Sequence, residues 1–283
     1  MKTARFAPSA PIFAAATLAI AGLVPLPALA LDSGWAETEG GRMRLVVDPS
    51  PQADGSLAGA LDIDLAPGWK TYWIDPGGSG IPPSIDLSAS KGLSLRRVDY
   101  PPPVRVDDGY SVWSGYKHPV KFPLVLERTG SGDAELNAEV FIGICSDICV
   151  PFQASLSIAV PAAADADSVA AREVASAFQA LAEPPAEDFA VTAAAFAADR
   201  SALEVSVSLP GFRPAGLAPA LFVAGPEGWA FAPPQLLASE DGTARYSVPV
   251  VGRPKSADAG TAVPVDLVVT LGQRAIATRA ELR

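Results

Sequence analysis

Two cysteines and a single histidine in 283 residues leave little for most chemistries to work with. With His118 alone and no Gly-x-Ser-x-Gly elbow, a hydrolytic triad lacks a base beside its nucleophile. Two thiolates need one or two further ligands to close a zinc site, and only His118 and carboxylates are on offer; Cu(I), which accepts two thiolates alone, stays open as a minor alternative. His118 itself, within Gly115-Tyr116-Lys117-His118-Pro119, reads as an exposed loop residue. No glycine-rich phosphate cradle is present, and the acidic pairs Asp62/Asp64 and Asp107/Asp108 read as solvated strand and turn residues rather than a glycosidase dyad. Basic side chains are also in deficit, 21 against 31 acidic, for a net charge of −10, which argues against nucleic acid and anionic membrane surfaces as partners. Beyond Ala30 no apolar run approaches the roughly 18 residues of a membrane-spanning helix.

What the N-terminus does contain is an export signal. Lys2 and Arg5 form a positive region, Ile12 to Val24 an apolar one, and Pro25-Leu26-Pro27-Ala28-Leu29-Ala30 ends in a small-x-small cleavage pattern. Cleavage is expected after Ala30, leaving 253 residues and taking the net charge from −10 to −12. The mature chain is expected to be periplasmic, not inserted in the membrane, where disulfides persist.

Twenty-eight prolines and 24 glycines punctuate short apolar segments in a chain that is 49% hydrophobic, a pattern of many short strands around real cores. Strands are expected at Met43–Asp48, Leu57–Leu65, Trp69–Ile74, Leu93–Val98, Val120–Glu127, Ala134–Ile144 and Phe152–Val160, separated by turns such as Asp54-Gly55 and Pro76-Gly77-Gly78. The fold class is all-β, an immunoglobulin-like sandwich over residues 31–163. A helical linker, 164–187, follows, capped by Asp167 or Ser168, with Val174, Phe178 and Leu181 as its apolar face and Pro184-Pro185 ending it. A second, smaller β-sandwich is expected over 188–283, with strands at Phe189–Phe196, Leu203–Leu209, Ala220–Val223, Arg245–Val251, Val263–Leu271 and Ala275–Leu282. That region holds neither cysteine nor histidine, so its expected role is docking or spacing.

Both cysteines lie in Phe141-Ile142-Gly143-Ile144-Cys145-Ser146-Asp147-Ile148-Cys149-Val150-Pro151-Phe152, between two strand-like runs, which puts them at or near a hairpin tip. A C-x3-C bridge is geometrically feasible but a poor staple: closing so short a loop stabilises by roughly 2 kcal/mol, against about 4.7 for a 100-residue loop. The spacing leans towards a bond that opens and closes, with a local hairpin clip as the alternative. Aromatic residues, only 7% of the chain, are dense in Gly68-Trp69-Lys70-Thr71-Tyr72-Trp73 and in Tyr110-Ser111-Val112-Trp113-Ser114-Gly115-Tyr116. At least one of Trp69 and Trp73 is expected in the core. The second cluster lies in a Gly/Ser/Asp-rich loop, where an aromatic lying over a disulfide would screen it from stray thiols.

Four motifs in order, the 68–83 run, Tyr100-Pro101-Pro102-Pro103, the loop at 107–118 and Cys145-Ser-Asp-Ile-Cys149-Val-Pro, resemble the N-terminal periplasmic domain of DsbD-type thiol:disulfide interchange proteins. The resemblance covers residues 40–160, and the three-residue spacing of the cysteines is that of the branch related to the copper-sensitivity suppressor ScsB, DsbD itself having a wider one. It implies a redox pair at Cys145 and Cys149, with Cys149 attacking and Cys145 resolving, and a cap formed by Asp107, Asp108, Tyr110 and Tyr116. The family's capping aromatic falls near Gly109, so Tyr110 is expected to take its place and its removal to speed reduction. Asp107, Asp108 and Asp147 are expected to raise the thiol pKa values. The implied partners are thioredoxin-like periplasmic proteins and a membrane electron donor, with no cofactor, the family's transmembrane and thioredoxin domains being supplied by separate proteins. Alternatives of other classes are a non-catalytic binding module with a structural clip, and a copper-binding protein.

Overall fold

The computed structural model describes residues 31–162, 169–211, 216–255 and 261–283. The expected leader and the expected helix caps Asp167 and Ser168 lie outside the described residues. In chain order the first half holds β1 (Ala36–Thr38), β2 (Gly41–Asp48), β3 (Leu57–Leu65), β4 (Thr71–Tyr72), β5 (Ser84–Asp86), β6 (Leu93–Val98), β7 (Val104–Asp107), β8 (Val112–Tyr116), β9 (Val120–Arg128), β10 (Ala134–Cys145) and β11 (Cys149–Val160). The helix α1 (Val169–Gln179) leads to β12 (Ala190–Phe196), β13 (Ala202–Ser208), β14 (Ala220–Ala224), β15 (Ala230–Phe231), β16 (Gln235–Glu240), β17 (Thr243–Gly252), β18 (Val263–Leu271) and β19 (Arg274–Leu282). Among the described residues the chain is thus all-β apart from one short helix, consistent with an immunoglobulin-like fold.

Period-2 alternation builds the first core. A sheet ordered β1-β2-β3-β9-β6 turns Met43, Leu45, Val47, Leu61, Ile63, Phe122, Leu124 and Leu126 inward, against Leu136, Val140, Ile142, Ile144, Phe152 and Ile158 from a sheet ordered β11-β10-β5. On the other face of the first sheet, Val46, Ala58 and Ala60 are buried beneath Val174 and Ala177 of α1, with Ala170 and Phe178 packed alongside. The small side chains of β3 let the helix approach, which is why this strand is buried on both faces. Arg44 fixes the contact by donating from Nη2 to the Glu173 carboxylate at 2.8 Å. Leu181, expected on the helix face, lies beyond the helix end, which comes at Gln179.

In the second half, β12, β13, β17, β15 and β16 face a sheet ordered β14-β18-β19, with Leu203, Val205, Val207, Leu221, Tyr246, Val248, Leu267, Val269 and Ile276 between them. The β14-β18-β19 sheet is buried on its outer face as well. Phe222, Ala224 and Val268 alternate out of the second core and join the first, where Phe222 meets Trp73 edge-on with ring centroids 6.0 Å apart. Residues 31–283 accordingly form one compact unit. Across the same junction Arg105 of β7 donates from Nη2 to the Leu221 carbonyl at 2.7 Å and lays its guanidinium over the Phe222 ring.

One strand running up to the expected 107–118 loop and one inside it were not legible from pattern. Val104–Asp107 and Val112–Tyr116 pair as a hairpin, because β8 also pairs with β4 and gains its partners from a segment some forty residues earlier. Among the described residues no helix is long and apolar enough to cross a membrane.

Candidate active site

The hairpin β10-β11 keeps one register along its whole length, from Ala134↔Val160 to Cys145↔Cys149. The two cysteines are therefore its last cross-strand pair, with Cα atoms 4.1 Å apart and the sulfurs bonded across the Ser146-Asp147-Ile148 turn. Adjacent places in the ladder give the two sulfurs unlike surroundings. Cys145 is fully buried, whereas Cys149 is exposed.

The asymmetry comes from a distant segment laid along β10. The Lys70 amide donates to the Cys145 carbonyl at 2.8 Å and the Cys145 amide returns a bond to the Lys70 carbonyl at 2.9 Å, while Thr71 Oγ1 donates to the Gly143 carbonyl at 2.9 Å. This approach depends on two glycines. A Cβ on Gly143 would meet Ile81 at 2.8 Å and the Tyr72 ring at 3.2 Å, and one on Gly115, which pairs with Tyr72 across β4-β8, would fall 2.2 Å from the Thr71 carbonyl oxygen.

Beside the disulfide lies a small cluster of Tyr72, Trp113 and Cys145, with Ile81 and Val106 packed on it. Tyr72, 3% exposed, sets its hydroxyl 3.1 Å from Cys145 Sγ and 3.8 Å from Cys149 Sγ. Burial, and then the charge of Asp108, push its phenol pKa up. Trp113 meets the Tyr72 ring edge-on and carries the Lys70 ammonium over its own ring at 4.3 Å. That ammonium lies 3.6 Å from the Asp108 carboxylate. Asp108 Oδ1 accepts from the Ser111 and Tyr110 amides at 2.9 and 3.1 Å, and these bonds, first among several causes, hold its carboxyl below the usual range.

The expected site residues thus separate. Cys145 and Cys149 are joined, and Asp108 pairs with Lys70, the residue whose backbone bonds Cys145. Asp107 is exposed and accepts the Gly109 amide at 2.9 Å, shaping the β7-β8 turn. Tyr110 is 100% exposed, and since a side chain resting on the disulfide would lose accessible area, it covers no sulfur here. It stands at the rim of a groove of about 930 Å³ lined also by Trp69, Lys70, Trp113, His118 and Asp147. Tyr116 is not part of the site. It is buried in the first core against Phe122, 5.5 Å between centroids, and donates its hydroxyl to the Pro101 carbonyl at 2.7 Å. Three positions along a strand reverse the face, so Trp113 and Tyr116 of β8 point to opposite sides.

Sequence reasoning missed Tyr72, Lys70 and Trp113. The signal was present for the first two: once Trp73 is assigned to the core, alternation places Tyr72 and Lys70 on the other face together. Among the described residues no group of three or more His, Cys, Asp and Glu side chains is gathered to hold a metal ion.

Comparison with known proteins agrees with this geometry. Residues 44–161 match the family described as thiol:disulfide interchange protein DsbD, N-terminal. Among solved structures, the N-terminal periplasmic domain of ScsB from Proteus mirabilis shares the fold, with a TM-score of 0.67 at 23% identity, covering 89% of this chain and 98% of that one. No curated protein matches the sequence.

Proposed function

We propose that this chain, whose residues 44–161 match the DsbD N-terminal family, is a periplasmic thiol:disulfide interchange protein whose Cys145–Cys149 pair passes electrons to or from thioredoxin-like partners. The observation that carries this reading is the unequal exposure of the two cysteines. A partner thiolate reaches only Cys149; its sulfur bonds to Cys149 Sγ, the disulfide breaks and the electron pair leaves on Cys145 Sγ, and the partner's second thiolate then attacks its own sulfur in the mixed disulfide and releases Cys149 as a thiolate. In the opposite direction the Cys149 thiolate attacks a partner disulfide, and the Cys145 thiolate then attacks Cys149 Sγ and expels the partner as a dithiol. Two electrons move in either case, and no cofactor is required.

The ladder argues against a structural clip. The bond closes only a five-residue loop at the end of a hairpin, so it removes little entropy from the unfolded chain, about 2 kcal/mol. Both cysteines, Tyr72, Lys70, Asp108 and Trp113 lie within residues 31–163, which supports assigning the activity to that part and docking to 188–283, with residues 1–30 as the export leader and a membrane protein as electron donor.

The test is a trapped intermediate. With Cys145→Ala, Cys149 cannot be released once it has bonded a partner, so a dithiothreitol-sensitive adduct should accumulate on non-reducing gels of the host's periplasm. Absence of any adduct with either cysteine left alone would transfer the chain to the binding-module reading.

A further inference from the structure

We propose that Tyr72 is a catalytic residue of the exchange: its hydroxyl holds the sulfur of Cys145 by a hydrogen bond as that sulfur leaves or attacks, and so directs partners to Cys149. The proposal rests on the exchange reading above, but the contact it concerns is internal to this chain.

Neither sulfur of a disulfide carries hydrogen, so Tyr72 is the donor to both, and the 3.1 Å contact to Cys145 is the closer one. The ring has little freedom to turn away. Its strand is paired to Gly115, its edge meets Trp113, and side chains at Gly143 and Gly80 would intrude on it, a Cβ at Gly80 coming 2.8 Å from Tyr72 Cδ1. At 3% exposure the side chain is largely shielded from bulk water. The raised phenol pKa keeps it a donor at physiological pH. The Lys70 ammonium of the same segment is held by Asp108 and the Trp113 face.

A neutral disulfide sulfur is a weak acceptor and a thiolate a strong one, so the bond strengthens as charge develops on Cys145 Sγ. An interaction that grows between ground and transition state accelerates the step, and a pre-placed buried donor does so without reorganisation. When an entering thiolate bonds to Cys149 Sγ, the electron pair of the broken S–S bond comes to rest on Cys145 Sγ beneath the Tyr72 hydroxyl. In resolution the same thiolate, directly across the ladder from Cys149, attacks Cys149 Sγ and the partner sulfur leaves. No proton has to leave Tyr72 in either direction.

The experiment uses the full mature chain and no partner, so it can fail without touching the partner-based reading. Tyr72→Phe keeps the ring and removes only the donor. Its disulfide should react with dithiothreitol roughly tenfold more slowly, and in a Cys149→Ala background it should raise the Cys145 thiol pKa by about one unit, read from thiolate absorbance against pH. A merely structural role would change the melting temperature without moving that pKa. The contact is also readable with Tyr72 intact: in Cys149→Ala the 13Cζ resonance of Tyr72 should follow the Cys145 titration, which keeps the test open if Tyr72→Phe does not fold. An unmoved resonance, or a Tyr72→Phe protein with both rate and Cys145 pKa unchanged, overturns the proposal.

Discussion

Opening the Cys145–Cys149 bond should leave the protein folded, and the cost can be worked from the hairpin. None of the cross-strand pairs from Ala134↔Val160 to Ile144↔Val150 is made by the disulfide, nor are the two backbone bonds between Lys70 and Cys145, so all should survive reduction. What is lost is the closure of a five-residue loop, about 2 kcal/mol, which corresponds to a fall of roughly 4–8 °C in melting temperature for a chain of this size. The Cys145→Ala/Cys149→Ala variant loses more. It removes a sulfur from a site with no exposure, about 1 kcal/mol, and leaves the buried Tyr72 hydroxyl without its acceptor, about 1–3 kcal/mol. A total of about 4–6 kcal/mol overlaps only the lower end of the 5–15 kcal/mol by which folded proteins usually exceed their unfolded state. Urea titrations of the oxidised, reduced and double-alanine proteins, followed by tryptophan fluorescence, should show midpoints falling in that order with a common slope. The reasoning is refuted if the reduced wild type is unfolded in buffer, or is no more stable than the double variant.

Tyr110→Ala should leave the rate of reduction by dithiothreitol within about twofold of wild type, because a fully exposed side chain shields no sulfur; a large acceleration would mean that the loop closes over the disulfide in solution. Residues 31–163 produced alone should keep the exchange activity but be less stable than a piece ending at residue 182, since the shorter one uncovers Val46, Ala58 and Ala60, which α1 buries. Equal urea midpoints for the two pieces would show the helix contact to be worth nothing.

Local pattern was enough for a large part of this molecule. Alternation between Phe152 and Val160 and the apolar run before Cys145 placed the cysteines at a hairpin tip, since period 2 and the intervening Ser146-Asp147-Ile148 leave little else for the chain to do. Leu57–Leu65, Leu93–Val98 and Val263–Leu271 begin and end where their turn residues say they should. The aromatic over the disulfide was a different matter. Sequence pointed to Tyr110, which is exposed, and to Tyr116, which is in the core, while Tyr72 makes the contact. Alternation states which residues share a face but not what that face meets, and Tyr72 meets Cys145 only because Lys70 and Cys145, 75 positions apart, exchange backbone hydrogen bonds. The unequal burial of two cysteines four residues apart, and the entry of Phe222 and Val268 into the first core, were decided in the same way, by pairings that exist only once distant strands have come together.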